Sequence, residues 1–294
     1  MKEILNFFPE KIKQQIAENF FEEIEEIRIR SNKPIILKSR NIEKQINLLV
    51  TPDTILQILQ RICENSIYSY QNQISNGFIT LIGGHRVGIT GNAVIKDGQV
   101  INLSYISSLN FRIAREVFNC SDSALKYVLK PNSNDIYNTL LVSPPGLGKT
   151  TLLRDIVRKI SNGVPEMHFN GLTVGVVDER GEISAMYKGC PQNEIGIRTD
   201  VIENISKSLG LKMLVRSMSP KVVVADEIGS EDDINAIEYA VCSGVRGIFT
   251  AHGADAKEVI KNPILNKLIK KQMIDKILIL DNNRKIQLGY ERAV

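Results

Sequence analysis

Residues 139–160 constrain this chain more than any other stretch. An apolar run, Thr139–Ser143 (TLLVS), leads into Pro144, Pro145, Gly146, Leu147, Gly148, Lys149, Thr150 and Thr151. Leu152, Leu153, Ile156, Val157 and Ile160 then follow at helical spacing. Strand, glycine-rich loop and helix, in that order, is the setting in which G-x-x-x-x-G-K-[ST] cradles phosphates. Ser143 stands where that pattern has its first glycine, a position that needs only a compact residue at the strand end. Glycines let backbone N–H groups turn toward phosphate oxygens, and the helix adds the positive end of its dipole. Ser143 through Thr151 is therefore the candidate nucleotide-binding loop. Lys149 is expected to bridge the β- and γ-phosphates, and Thr150 to hold Mg²⁺ through its hydroxyl. A bare G-K-[ST] arises by chance in roughly one chain in six of this size, with Gly and Lys each about 7%. The flanking strand and helix carry the reading.

Such a loop belongs at the carboxyl edge of a parallel sheet, and the residues beyond it supply one. Leu172–Val177 (LTVGVV), Val222–Ala225 (VVVA) and Gly247–Ala251 (GIFTA) are short apolar runs of the kind buried on both faces. Helical patterns lie between several of them, which predicts a three-layer α/β unit. Ser230 and Asp233 form a capping box for the helix after the VVVA strand. Each run ends in polar groups, at the edge where ligands of open α/β sheets bind. Asp226 and Glu227 follow VVVA, Asp178, Glu179 and Arg180 close the second run, and Thr250-Ala251-His252-Gly253 ends the last. Asp226 suits the Mg²⁺ shell, Glu227 the polarisation of an attacking water, and His252 a contact to the γ-phosphate. Four strand ends converging on one crevice make a site.

The first 130 residues read differently, as a mixed α+β unit. Ile12, Ile16, Phe20 and Ile24 predict an amphipathic helix over 10–24, and Thr51-Pro52-Asp53 opens a second helix carrying Ile55, Ile58, Leu59 and Ile62. Glu26–Arg30 and Pro34–Lys38 read as strands across a Ser31-Asn32-Lys33 turn. Alternation from Gly77 to Leu103 includes Asp97-Gly98, a hairpin signal. The polar run Pro131–Asn138 is the best boundary, which divides the chain into domains 1–135 and 136–294. Composition narrows the partners. Residues up to 138 hold 16 basic and 14 acidic side chains and the rest 21 and 19, so neither part has the charge of a polyelectrolyte-binding domain. Cys63, Cys120, Cys190 and Cys242 form no C-x-x-C pair, which argues against zinc and for reduced thiols in a cytosolic protein. The N-terminus is too interrupted by charge for a secretory leader, and no stretch reaches 18 uncharged apolar residues, so any membrane role is peripheral.

The order of these motifs resembles the type II/IV secretion ATPases, in which a phosphate loop, an acidic box, a second acidic strand end and a histidine box follow one another. Within that superfamily, SPPGLGKTTLLRD, VDERGEI, GIRTDV, RSMSPKVVVADEIG and TAHG are similar to a sporulation family of endospore-forming bacteria. GFITLIGGHRVGITG and ISSLNFRIARE extend the similarity upstream, to about residues 75–255 in all. The resemblance implies a RecA-like three-layer P-loop ATPase domain with a mainly parallel sheet, preceded by a smaller α+β domain. It implies ATP and Mg²⁺ as cofactors, with Gly146, Gly148, Lys149, Thr150 and Thr151 on the nucleotide, Asp226 near the metal and Glu227 catalytic. Glu179, with Asp178, matches the acidic box, and His252 the histidine box, where the family usually has two histidines and this chain has one. Arginines from outside the loop often complete such sites, and Arg112, Arg115 and Arg216 are the candidates. A homo-hexamer is implied, on the mother-cell side of the forespore, energising a channel built from membrane-embedded proteins. Two rivals stand beside it: a nucleic-acid-dependent ATPase, opposed by the weak charge, and a scaffold that binds nucleotide only to assemble.

Overall fold

The computed structural model describes residues 2–19, 24–39 and 42–292. Its contacts divide into two units, Met1–Arg115 with Ala185–Gln192, and Glu116–Ser184 with Asn193–Val294. The first unit is built on a six-stranded antiparallel sheet of β1 (Glu26–Arg30), β2 (Pro34–Ser39), β3 (Ile42–Leu49), β4 (Phe78–Thr80), β5 (Arg86–Lys96) and β6 (Gln99–Arg112), in the order β3-β2-β1-β6-β5-β4. Its helices are α1 (Lys2–Leu5), α2 (Glu10–Glu18), α3 (Pro52–Ile62) and α4 (Gln71–Ser75). Alternate strand residues Ile27, Ile29, Ile35, Leu37, Ile89, Leu109 and Phe111 share one core with Ile12 and Ile16 of α2 and Ile55, Ile58, Leu59 and Ile62 of α3.

Local chemistry accounts for these elements. Thr51 caps α3 by accepting from the Thr54 amide at 3.2 Å, with Pro52 in the first turn. Asp97 and Gly98 both take positive φ (51° and 76°), as a tight β5–β6 hairpin demands. Helix α2 is shorter than its periodicity suggests. It stops at Glu18, where the Asn19 side chain donates to the Gln15 carbonyl at 2.8 Å. Phe20 lies outside the described residues, and Ile24 is buried in the extended lead into β1 rather than on a helix. Strand β3 adds to the pattern read from the sequence; of its residues only Ile46 is fully buried, so it carries little alternation to read.

The second unit is a three-layer α/β sandwich, in agreement with the sequence. Its strands are β7 (Thr139–Ser143), β8 (Val174–Asp178), β9 (Thr199–Glu203), β10 (Val222–Ala225), β11 (Arg246–His252), β12 (Lys276–Leu280) and β13 (Ile286–Glu291). They lie in the order β13-β12-β7-β11-β10-β8-β9, parallel except for the edge strand β13. The helices are α5 (Asp122–Val128), α6 (Lys149–Asn162), α7 (Lys207–Ser217), α8 (Glu231–Cys242), α9 (Ala256–Lys261) and α10 (Asn266–Lys270). Leu141, Val176, Val224 and Ile248 face a core shared with α5 and α6, whereas Leu140, Val142, Val223 and Phe249 face one shared with α7 to α10. This division explains why the strands read as continuous apolar runs. The capping box of Ser230 and Asp233 is present at α8.

The chain first passes from one unit to the other at Arg115/Glu116, ahead of the polar run read as the boundary in the sequence. Helix α5 is the reason: it buries Ala124, Leu125 and Val128 in the core of β7 and α6 and so belongs to the second unit. The polar run is itself pinned there. Asp135 accepts from Arg246 at 2.7 and 3.1 Å and from Lys130 at 2.6 Å. Burial alone would raise the Asp135 carboxyl, but these cations outweigh it and bring it from 3.8 down to about 2. A depressed carboxylate contributes stability that is complete above its unfolded pKa and is lost as pH falls through the folded one. The side chain is 34% exposed, so after screening the contribution is about 1 kcal/mol. The melting gap between wild type and Asp135→Asn should therefore hold from pH 7 to 5 and close between pH 4 and 2. A gap indifferent to pH would remove the ion pair as its source.

Candidate active site

The loop is set by the strand before it and the helix after it. Ser143 is fully buried at the end of β7, and its hydroxyl donates to the Pro144 carbonyl at 2.9 Å. That bond fixes the loop's first turn without a glycine. Gly146 and Gly148 do need to be glycine, because they sit at φ 78° and 98°. A Cβ at either would meet no heavy atom within 4 Å, so the demand is on the backbone and the space above the loop stays open. Leu147 packs on the core shared with α6, Pro145 is exposed, and the Thr151 carbonyl faces the Cys120 thiol at 3.8 Å.

Lys149 opens α6 and is only 6% exposed. Its Nζ donates to the Ala251 carbonyl at 3.2 Å and lies 3.2 Å from His252 Nδ1. Burial lowers the Lys149 pKa, and the nearby Asp226 and Glu227 charges only partly offset it. Among the described residues this ammonium has no ion-pair partner, the condition in which an incoming phosphate is most useful to it.

The acidic strand ends stand beside it. Thr150 Oγ1 donates to Asp226 Oδ2 at 2.6 Å, and the Thr250 hydroxyl donates to Asp226 Oδ1. The Glu227 amide donates to Thr250 Oγ1 at 2.7 Å. The Glu227 carboxylate accepts from Arg180 at 2.6 Å, with His252 Nε2 at 3.0 Å from its other oxygen. Glu227 itself has φ 53°, a left-handed conformation that costs a non-glycine residue about 1 kcal/mol or more. Next to these groups an open crevice is lined by Asp178, Glu179, Arg180, Lys207, Asp226 and Glu227. A hydroxyl and a carboxylate oxygen 2.6 Å apart, at the foot of a phosphate loop, suit Mg²⁺ held jointly with phosphate oxygens.

Asp178 and Glu179 part company. Asp178 is 2% exposed and accepts from the amides of Glu182, Ile183 and Ser184 and from the Ser184 hydroxyl, at 2.6–3.2 Å. It builds the loop after β8. Glu179 instead reaches the crevice, ion-paired to Lys207 at the start of α7. Asp178→Asn replaces one acceptor oxygen by a donor facing these N–H groups, so a loss of about 3 kcal/mol is expected. A thermal melt should show the fall as about 6–12 °C; a shift below 2 °C would mean the loop is held by other contacts.

Lys149, Thr150, Asp226, Glu227 and His252 are thus gathered round one point, and Glu179 stands at its rim. Arg115 and Arg112 are in the first unit, where Arg115 donates to the Ile24 carbonyl at 3.4 Å and Arg112 ends β6. Arg216 is near the C-terminus of α7, stacked at 5.6 Å on Tyr239, and that end of the helix leads into the start of β10. It therefore sits at the sheet edge opposite the glycine-rich loop. Sequence reasoning placed Thr250 at a strand end without a role, and missed Lys207 and the Arg180 ion pair. For Thr250 a signal existed, since a hydroxyl in the middle of an apolar buried strand needs a partner.

Among the described residues no helix is long and apolar enough to cross a membrane. In fold, the chain is similar to the Legionella pneumophila ATPase DotB, with a TM-score of 0.60 at 14% identity over 96% of this chain and 79% of that one. The pilus retraction motor PilT, solved with bound ADP, gives the same TM-score and identity over 92% and 76%. In sequence it is 38% identical over 283 residues to stage III sporulation protein AA of Bacillus subtilis, covering 95% of this chain and 91% of that protein. Residues 1–290 match the family described as sporulation stage III, protein AA, and the chain belongs to that family.

Proposed function

We propose that the protein is a Mg²⁺-dependent ATPase that energises the assembly of, or transport through, a secretion-like channel of the sporulation apparatus. One observation carries the reading. The Thr150 hydroxyl and the Asp226 carboxylate are 2.6 Å apart, immediately beside a buried lysine ammonium at the mouth of a glycine-rich loop. Bound Mg²⁺ would neutralise charge on the phosphates and hold them in place. The remaining chemistry belongs to the chain. The amides of the loop and Lys149 bind the β- and γ-phosphates, and His252 faces both Lys149 and Glu227. Glu227 orients a water and accepts its proton at a carboxylate oxygen; each oxygen has a lone pair beyond the one given to Arg180 or His252. Glu179 stays at the rim, its charge balanced by Lys207.

Family membership and the shared fold with DotB and PilT, an ATPase and a motor by description, support the reading. The wider proposal is a homo-hexamer, cytoplasmic and peripheral to a membrane, on the mother-cell side of the forespore, with membrane-embedded channel proteins as partners. Phosphate release measured with and without Mg²⁺, alongside mass by light scattering, tests it. Mg²⁺-dependent turnover from a nucleotide-stabilised ring is expected. Nucleotide-dependent rings with no turnover would overturn the enzyme in favour of an assembly scaffold. Turnover that rises many-fold with single-stranded DNA or RNA and falls with salt would overturn the channel role.

A further inference from the structure

We infer that Thr250 is a positioning residue, fixing Asp226 and Glu227 relative to each other; this rests on reading the site as a Mg²⁺-dependent nucleotide site. Thr250 is fully buried in β11, and its hydroxyl has a single proton to give. An ionised Asp226 can only accept and the Glu227 amide can only donate, so the direction of both bonds is determined. The hydroxyl proton goes to Asp226 Oδ1, and its lone pair takes the Glu227 N–H at 2.7 Å. The Thr250 carbonyl accepts from the Ile228 amide at 2.8 Å, one residue further on. Glu227, at φ 53°, is thereby held on both sides in a conformation that its own side chain disfavours.

The tie gains importance when Thr150 changes partner. Its hydroxyl donates to Asp226 Oδ2 at 2.6 Å in this structure. A hydroxyl that turns its oxygen to a metal can still donate, but its direction is no longer free. The Thr250 bond then keeps Asp226 aimed, since it comes from a strand paired directly to β10. The next two residues extend the same strip: the Ala251 carbonyl takes Lys149, and His252 lies between Lys149 and Glu227. Three consecutive residues of β11 thus set three charged groups.

Thr250→Val keeps the branched shape and removes the hydroxyl, Thr250→Ala removes it with less bulk, and Thr250→Ser keeps it. The full chain is assayed for kcat, for affinity toward a fluorescent ATP analogue in Mg²⁺ and in EDTA, and for melting temperature. Thr250→Val and Thr250→Ala are expected to lower kcat about 10–100-fold and to weaken binding in Mg²⁺ severalfold, with binding in EDTA within threefold of wild type. Thr250→Ser should stay within threefold throughout. If Val or Ala keeps both the wild-type kcat and the Mg²⁺ enhancement, or if Ser falls as far as they do, Thr250 does not act through its hydroxyl. The Mg²⁺ enhancement is read without turnover. A wild-type chain that binds but does not hydrolyse therefore defeats the proposed activity separately, while loss of the enhancement in Val and Ala alone still upholds the role of Thr250.

Discussion

Glu227→Gln is expected to cut ATP turnover roughly 10²–10⁴-fold, the range for removing a positioned general base. Nucleotide affinity should stay within threefold. The glutamine keeps the shape, and its oxygen can still accept from Arg180 or His252, but it cannot take a proton from water. Losing the ion pair matters little to the fold, because Arg180 is 65% exposed and such pairs contribute about 0–1 kcal/mol. A melting temperature within a few degrees of wild type is therefore part of the prediction. The variant should also accumulate nucleotide-bound protein, since binding is intact and the exit step is blocked. Hydrolysis at the wild-type rate would strip Glu227 of its role and leave the crevice beside Glu179 as the place to look.

Lys149→Met is expected to weaken ATP binding at least 100-fold, and turnover with it. The side chain begins α6 and places its ammonium where burial already lowers its pKa, so the charge is costly until a phosphate arrives. Two opposite effects on stability follow. Without nucleotide, methionine fills the same space with no charge to desolvate, and the variant should melt no lower than wild type. With ATP at 100 times the wild-type Kd, the wild-type protein should gain about 2.7 kcal/mol by mass action, and the variant about 0.4 kcal/mol or less. A variant that loses stability without nucleotide would show that Lys149 is a structural group, and one that keeps the ATP-induced shift would remove it from the phosphates.

What could be read in advance follows from the range of each interaction. The glycine-rich loop is legible because its demands are local: an apolar strand, glycines at positive φ and a helix whose first residue is Lys149. The hairpin at Asp97-Gly98 and the cap of α8 are local too. The different duties of Asp178 and Glu179 are not, although the residues are adjacent. One points into its own loop and the other meets Lys207, and only the folded chain distinguishes them. Thr250 meets Asp226 and Glu227 across more than twenty residues, a separation that the sequence order does not reveal. Strands β12 and β13 escape for another reason. KILIL follows a charged helix and looks like its continuation, until it joins the sheet beside β7, with Leu278 and Leu280 in one core and Ile277 and Ile279 in the other. Arg216 shows the converse, a basic residue that looks available and spends its charge on Tyr239.

The path of the chain has a consequence for how such a protein can be taken apart or reshuffled. Residues 185–192 leave the second unit and join the first, where Tyr187 and Lys188 both donate to Glu64 and the Gly83 amide donates to Gln192. A split at residue 115 looks clean on paper and is not. The amino-terminal piece would lose the side chain that satisfies Gly83, and the carboxyl-terminal piece would carry an eight-residue excursion with its acceptor gone. Each half would carry a loose end at the cut. A recombination event that swaps one of them between relatives must also exchange the strap, or inherit a mismatch at Glu64.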